Sequence, residues 1–164
     1  MSQTTSARSA YWLAVTLLLV YAAVRLHALP MFPLFIDEAF HIRWARAVWD
    51  LHPFGGVGDG KALIAWVLAP LAPFENALFV SRAGIILLGM LALAALIALA
   101  RRITPRQPTL VWVSGLLYIS VPYLFFFERL VLADALAASL GLVAAWLGRV
   151  ALQRHDTTQA ALAG

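Results

Sequence analysis

The stretch AGIILLGMLALAALIALA, residues Ala83 to Ala100, decides the class of this fold. It contains no charged side chain, and an α-helix of this length, at about 1.5 Å per residue, covers most of a ~30 Å hydrocarbon core. Arg101 and Arg102 follow directly, and charged residues are typical of the ends of membrane spans. We therefore predict a transmembrane helix over residues 83–100.

The composition of the whole chain indicates the same class. Of its 164 residues, 63% are hydrophobic and 12% are charged, and the mean hydropathy is +0.85. Soluble domains are about 45–50% apolar and about 25% charged, so we predict an all-α integral membrane bundle. The net charge of +4 comes from arginines that are scattered or gathered at the ends of apolar runs. That distribution favours membrane orientation over a nucleic-acid partner.

Three further apolar runs accompany this span, and together they predict about four transmembrane helices. Arg25 and His27 occupy the place where a cleaved signal peptide needs small residues, so the first run is interpreted as an uncleaved anchor. Arg25 either snorkels to the surface or reaches inward to an anion, and Pro122 predicts a kink in the third span. The predicted boundaries are a tail at 1–10, a membrane domain at 11–152 with spans at 11–29, 83–100, 110–127 and 130–147, and a polar tail at 153–164.

The first outer loop, residues 30–82, contains an amphipathic stretch, FIDEAFHIRWARAVWDL (35–51). Its spacing predicts a helix over 36–51 that lies along the membrane interface, with Arg46 and Asp50 spaced for a weak surface pair. One arc of this helix holds Ile36, Phe40, Trp44, Ala47, Val48 and Leu51, and another holds Arg43, Arg46 and Asp50.

Two ionisable residues of this helix, Asp37 and His41, fall at the edge of the apolar arc. A carboxylate and an imidazole turned toward packed protein indicate a functional site, because unpaired polar groups at a membrane are costly. Asp37 is alternatively the N-cap of the helix, a role that Asp fills well. The two residues are also four positions apart and could share a divalent cation, although one histidine and shared carboxylates leave the identity of such a metal open.

The rest of the outer loop holds a glycine-rich segment and a short apolar one. Gly55 to Lys61 matches the G-x-x-x-x-G-K pattern of a phosphate-binding loop, but Ala62 stands where Ser or Thr should hold the metal, and no strand precedes it. We therefore reject a nucleotide site, and Lys61 is either a phosphate-binding cation or a solvated one. Residues 62–74 are too short to span and are broken by two prolines, which predicts a hairpin-like interfacial or re-entrant piece.

The arginines also predict the orientation of the chain. With four spans, Arg8, the 101–106 group and the 149–154 group lie on one side, and the positive-inside rule makes that side cytoplasmic. Both termini would then be cytoplasmic, in the plasma (inner) membrane. On the outer side, Arg129 is a candidate partner of Asp134, five residues further along, and a structural Arg–Asp or Glu–Arg pair that locks the spans is the alternative to a functional site. The outer side would gather Asp37, Glu38, His41 and Lys61 of the first loop with Glu128, Arg129 and Asp134 of the second.

This ordered set resembles the amino-terminal module of the GT-C membrane glycosyltransferases, in particular the protein O-mannosyltransferase and lipid A aminoarabinose transferase type. The resemblance is carried by the Asp37-Glu38 pair on an outer helix, by Lys61 before an apolar hairpin, and by the E-R-L-x-L-x-D run at 128–134. It implies that Asp37, with Glu38 beside it, is the catalytic base or the group that orients the acceptor. It also implies that Lys61 and Arg129 bind the phosphate of a lipid-linked donor and that Asp134 is the acid of the second loop. Glu128 and His41 complete the predicted substrate-binding residues.

The resemblance implies an inverting transfer of a sugar from a polyprenyl-phosphate donor to a lipid, glycan or protein hydroxyl at the outer membrane face, with no certain cofactor. Enzymes of this type have many more spans, so these 164 residues are expected to supply only the first part of one. A second class of function also remains open. A small non-catalytic membrane protein, either a carrier or flippase of polyprenyl-linked sugar or an accessory subunit, would also carry outward charges but need not position a base.

Overall fold

The computed structural model describes the chain at residues 2–55 and 60–163, with side chains from 11 to 55 and from 60 to 153. All elements within these residues are helical, and none of the described residues forms a strand, so the predicted all-α class is confirmed. The helices are α1 (Ser2–Leu26), α2 (Ile36–Trp49), α3 (Ala62–Leu68), α4 (Ala77–Ile103), α5 (Pro108–Ser120), α6 (Pro122–Phe127) and α7 (Ala133–Ala163), with 3-10 turns at Leu29–Met31 and Ala69–Leu71.

Three segments in the described part of the chain are long and apolar enough to cross a membrane: Tyr11–Met31, Ala77–Ile103 and Ala133–Gln153. The predicted third span, 110–127, is divided into α5 and α6 at Val121, whose ψ of 119° is extended. Proline disfavours the helical conformation in the residue before it, and it starts the next helix well because its missing N–H has no partner in the first turn. The kink expected at Pro122 is therefore a break between two helices, and a fourth span stays a prediction.

Helix α4 lies at the centre of the packing and contacts α1, α5 and α7. Two neighbouring isoleucines show this position clearly, because Ile85 and Ile86 are both buried but belong to different apolar clusters. One cluster joins α1, α4 and α5 through Leu17, Tyr21, Ile86, Leu93, Val111 and Tyr118. The other joins α2, α3, α4 and α7 through Ala45, Ile64, Leu68, Ile85 and Leu136.

The amphipathic helix of the outer loop exists, but it is shorter than predicted and buries only part of the predicted arc. It ends at Trp49 because Leu51 has a φ of 65° and closes the helix, with its N–H donating to Val48 O at 3.1 Å. Two members of the arc are strongly exposed, Ile36 at 73% and Leu51 at 88%. The buried residues are Trp44, which belongs to the arc, His41 at its edge, and Glu38 and Ala45. This face is buried because its two ionisable side chains have partners inside the protein.

Two finer predictions for this helix are wrong. Phe35, not Asp37, occupies the N-cap position, and Asp37 lies in the first turn. Arg46 does not pair with Asp50 within the described residues; its Nη1 instead donates to Ala72 O at 3.4 Å, and Asp50 is the C-cap. The predicted hairpin-like piece at 62–74 is short as expected, since α3 passes directly into the 3-10 turn at Ala69–Leu71.

Candidate functional site

Glu38, on the buried face of α2, accepts four hydrogen bonds. Its Oε2 lies 2.6 Å from Arg82 Nη2 and accepts from the N–H of Phe35 at 3.0 Å. Its Oε1 accepts from Arg82 Nε at 2.8 Å and from the N–H of Val131 at 2.9 Å. The carboxylate is fully buried. One side chain therefore joins α2 to α4 and to the segment that leads into α7.

Arg82, near the start of α4, is equally well satisfied. Its Nη1 donates to Leu29 O at 3.2 Å and Phe32 O at 3.0 Å, and its Nη2 donates to Pro33 O at 2.9 Å. Together with the two bonds to Glu38, these contacts occupy all five N–H donors of a guanidinium. Arg82 therefore fixes the turn after α1 against α2, and it is only 1% exposed.

The ionisation of Glu38 follows from these contacts. Burial works to raise the pKa of the Glu38 carboxyl, but the hydrogen bonds from Arg82, Phe35 and Val131 outweigh it and hold the pKa below its ordinary value of 4.5. Glu38 is therefore the anionic member of a structural ion pair. Its predicted role as a catalytic group stays a prediction, and its contacts give that role no support.

Glu128 forms a second buried anion centre at the end of α6. It accepts from Tyr21 Oη at 3.0 Å, from Arg25 Nε at 3.2 Å and from Tyr118 Oη at 2.5 Å. Arg25 also donates to Ile119 O at 3.0 Å and is fully buried. Of the two alternatives for Arg25, the structure therefore shows the inward one, and the anion that it reaches is Glu128.

Arg129 follows Glu128 in sequence but has a different environment. Its Nη2 donates to His27 O, and its guanidinium carbon lies 4.3 Å from the centre of the Phe32 ring and 5.1 Å from that of Phe125. The residue is 5% exposed, and its Nε has no hydrogen-bond partner among the described residues. The structural alternatives are wrong within this part of the chain, because neither Glu128 nor Asp134 forms an ion pair with Arg129.

Five buried charged residues form what is called here the buried cluster, and their charges do not balance. It contains three arginines, Arg25, Arg82 and Arg129, and two carboxylates, Glu38 and Glu128, so one positive charge remains. Burial lowers the pKa of Arg129, and repulsion from the other two arginines lowers it further. A buried cation without an anion is costly. Arg129 is therefore the one arginine of this cluster without a carboxylate partner among the described residues.

His41 and Glu38 together hold the peptide groups of Val131. His41 Nδ1 lies 2.6 Å from Val131 O, while the Val131 N–H donates to Glu38. Because a carbonyl oxygen only accepts, the proton of this bond must belong to Nδ1. The two side chains of α2 thus position the segment directly after Arg129. A substrate contact by His41 stays a prediction.

Asp37 differs from its neighbour Glu38. It is partly exposed, and its side chain has no hydrogen bond or ion pair with any other described residue. No group of three or more acidic, histidine or cysteine side chains gathers in the part of the chain that the structure describes, so the divalent cation suggested for Asp37 and His41 gains no further ligand. Asp37 is therefore an unpaired carboxylate on a helix that the neighbouring Glu38 anchors.

Lys61 and Asp134 are both exposed and make no polar contact within the described residues. Asp134 lies in the first turn of α7, where a negative charge suits the helix dipole. Most of the glycine-rich segment before Lys61, residues 56–59, lies outside the described residues.

A cavity of about 370 Å³ opens beside the Glu38–Arg82 pair, at the start of α4. Neither Asp37 nor Arg129 is among its described lining residues. These are Leu29, Pro30, Glu75, Asn76, Ala77, Leu78, Phe79 and Arg82.

No family model, curated protein or solved structure matches this chain. The resemblance to GT-C glycosyltransferases therefore stays a prediction. Sequence reasoning missed Arg82 as the partner of Glu38, and it missed the tyrosines that hold Glu128. The signal was present for Arg82, because an arginine that directly precedes a long apolar run needs a partner or a path to the surface.

Proposed function

We propose that this chain is the amino-terminal part of an inverting glycosyltransferase that moves a sugar from a polyprenyl-phosphate donor to a hydroxyl acceptor at the extracytoplasmic membrane face. The observation that supports this proposal most is a difference between two kinds of charged residue. Glu38 and Glu128 each form a buried ion pair with an arginine, whereas Asp37 and Arg129 lack ionic partners within the described residues.

The unpaired carboxylate of Asp37 and the unpaired guanidinium of Arg129 are linked through their sequence neighbours. Asp37 precedes Glu38, Arg129 lies two residues before Val131, and Glu38 and Val131 are hydrogen-bonded at 2.9 Å. Arg129 also stacks on Phe32, whose carbonyl is held by Arg82. A carboxylate and a guanidinium held at the same end of the long helices are the two groups that a transfer from a phosphate leaving group requires.

In the proposed reaction the acceptor oxygen attacks the anomeric carbon of the sugar while Asp37 takes the proton of the hydroxyl. The bond between that carbon and the phosphate oxygen breaks, and polyprenyl phosphate leaves with the bonding electrons. A positioned base of this kind contributes about 10²–10⁴-fold. Arg129 stabilises the charge on the departing phosphate, and Lys61 assists from the loop.

The proposal also states on which side of the membrane the reaction takes place. The cluster lies at the end of α4 opposite Arg101 and Arg102, which the positive-inside rule assigns to the cytoplasm. The donor and the lipid, glycan or protein acceptor would then meet at the outer surface of the plasma membrane.

The test is sugar transfer from a polyprenyl-phosphate donor by the complete gene product that carries Asp37→Asn. We expect transfer to fall by about 10²-fold or more, because the base is lost while the shape is kept. Asp50→Asn is the matched control, since Asp50 is an exposed acid of the same helix region with no assigned role. Transfer by Asp37→Asn at the rate of the control would rule out Asp37 as the base.

A second candidate is a small non-catalytic membrane protein, either a carrier or flippase of polyprenyl-linked sugar or an accessory subunit. It is favoured by the same two buried ion pairs, because they are self-contained and stabilise the fold without a substrate. The two candidates differ in their response to Asp37→Asn. A carrier would keep its binding of polyprenyl phosphate and its biological activity in this variant, and it would lose both in Arg129→Gln.

A further inference from the structure

A second feature lies at the opposite end of α4 from the cluster described above. α4 and α7 run in the same direction, since Glu38 joins the beginning of α4 to the segment before α7, while Arg102 near the end of α4 donates to Gln153 of α7. Between the two helices runs an open apolar groove with a volume of about 380 Å³. Its walls are Leu91, Ala94, Ala95, Ala98, Val143 and Trp146.

The two helices that form the walls of the groove carry arginines just beyond its end. On a helix, residues three and four apart are surface neighbours, so Ala98 is followed on the same face by Arg101 and Arg102. Trp146 is followed in the same way by Arg149 on α7. All three arginines are exposed, and Arg101 and Arg149 have no hydrogen bond or ion pair with any other described residue. The apolar groove thus opens at one end onto a basic rim.

Trp146 adds an aromatic surface to this wall, about one helical turn from Arg149. Its indole Nε1 is shielded from solvent, so an occupant of the groove meets the apolar part of the ring and not this N–H.

The length of this feature matches one leaflet. From Leu91 to Arg102 the helix rises about 16 Å at ~1.5 Å per residue, and half of a ~30 Å hydrocarbon core is about 15 Å. We propose that the groove binds one anionic phospholipid. Its acyl chain lies along Ala94 and Ala98 beside the Trp146 ring, and its phosphate lies among Arg101, Arg102 and Arg149.

The first test compares two lipids with identical acyl chains, phosphatidylglycerol and phosphatidylcholine, added to the purified full chain in neutral detergent. We expect phosphatidylglycerol to raise the melting temperature progressively with its concentration and phosphatidylcholine to have little effect. Each of Arg101→Gln and Arg149→Gln should weaken phosphatidylglycerol binding about fivefold, and Arg43→Gln, at the other end of the long helices, should leave it unchanged. Equal shifts with both lipids, or no shift with either, would overturn the proposal.

The second test locates the lipid. Ala98→Leu should fill the groove and abolish the phosphatidylglycerol effect, whereas Ala145→Leu makes the same change at an exposed position of α7 outside the groove and should keep it. If Ala98→Leu fails to fold, phosphatidylglycerol with brominated chains gives an independent measurement. It should quench a part of the fluorescence that is missing in Trp146→Phe, and the absence of such a difference would contradict the site.

The third test asks whether a second copy of this chain, and not a lipid, occupies the groove. The chain contains no cysteine, so Ala98→Cys introduces one reporter. We expect no disulfide-linked dimer under oxidising conditions in membranes that contain phosphatidylglycerol. Efficient cross-linking would show that a second copy covers the groove and would overturn the lipid assignment.

Discussion

Glu38 and Arg82 face each other across 2.6 Å and share two hydrogen bonds in a site where both side chains are almost completely buried. Removing charges from water is expensive, and such a pair is tolerated only when every remaining donor and acceptor is satisfied. Here the other bonds come from backbone groups of the turn after α1 and of the segment before α7. The pair therefore determines how the outer loop is seated on the long helices.

The first prediction concerns the stability of this pair. Glu38→Gln and Arg82→Met should each lower the free energy of unfolding by about 3–5 kcal/mol, because each leaves a buried charge without its partner. The double variant should lose less than the sum of the two, since it removes both charges. Unfolding in detergent measures these values, with the exposed Glu75→Gln as control. A loss for Glu38→Gln no larger than that of the control would contradict the arrangement.

The second prediction concerns pH. Because the pKa of Glu38 is held below 4.5 in the folded protein, the folded state binds fewer protons there than the unfolded state. Its contribution to stability is therefore complete above pH 4.5 and is lost as the pH falls through the folded pKa. The difference in melting temperature between the wild type and Glu38→Gln should be constant from about pH 5.5 to 7 and should shrink below the ordinary pKa. A difference that grew on acidification would show that the pKa is raised instead.

The sequence predicted the helical class, the apolar runs and the outer-loop helix, because these follow from composition and periodicity, which are local. It predicted the buried face of α2 only in part. His41 is buried as expected, but Ile36 and Leu51 are exposed. The burial of Glu38 depends on Arg82 and on the backbone of Val131, which lie 44 and 93 residues from it. The same holds for Arg25, whose partner Glu128 is 103 residues away. Pairing over such distances is decided by packing and not by any spacing within the sequence.

The third prediction concerns the close approach of α1 and α4. A Cβ added at Gly89 would lie 2.0 Å from Tyr21 Oη and 3.3 Å from Glu128 Oε1. Gly89→Ala should therefore displace the tyrosine and break its hydrogen bond to Glu128, at a cost of about 1–3 kcal/mol. Gly141→Ala and Gly148→Ala are matched controls on α7, where an added Cβ meets nothing within 4 Å. These controls should be neutral or slightly stabilising, because alanine favours helix by up to about 1 kcal/mol. A neutral Gly89→Ala would contradict the packing of Tyr21.

The fourth prediction separates the two kinds of buried arginine. Arg25 and Arg129 are both at most 5% exposed, but only Arg25 has a carboxylate partner among the described residues. Arg25→Met should cost about 3–5 kcal/mol because it leaves Glu128 unpaired. Arg129→Met should change stability by less than about 1 kcal/mol or should stabilise the protein, because it removes a buried charge that has no anion. Thermal unfolding of both variants in the same detergent measures the contrast. A residue kept for binding rather than for folding commonly costs stability in the absence of its ligand. A loss for Arg129→Met as large as that for Arg25→Met would instead make Arg129 a structural residue, and it would remove the strongest support for an anion-binding role at this site.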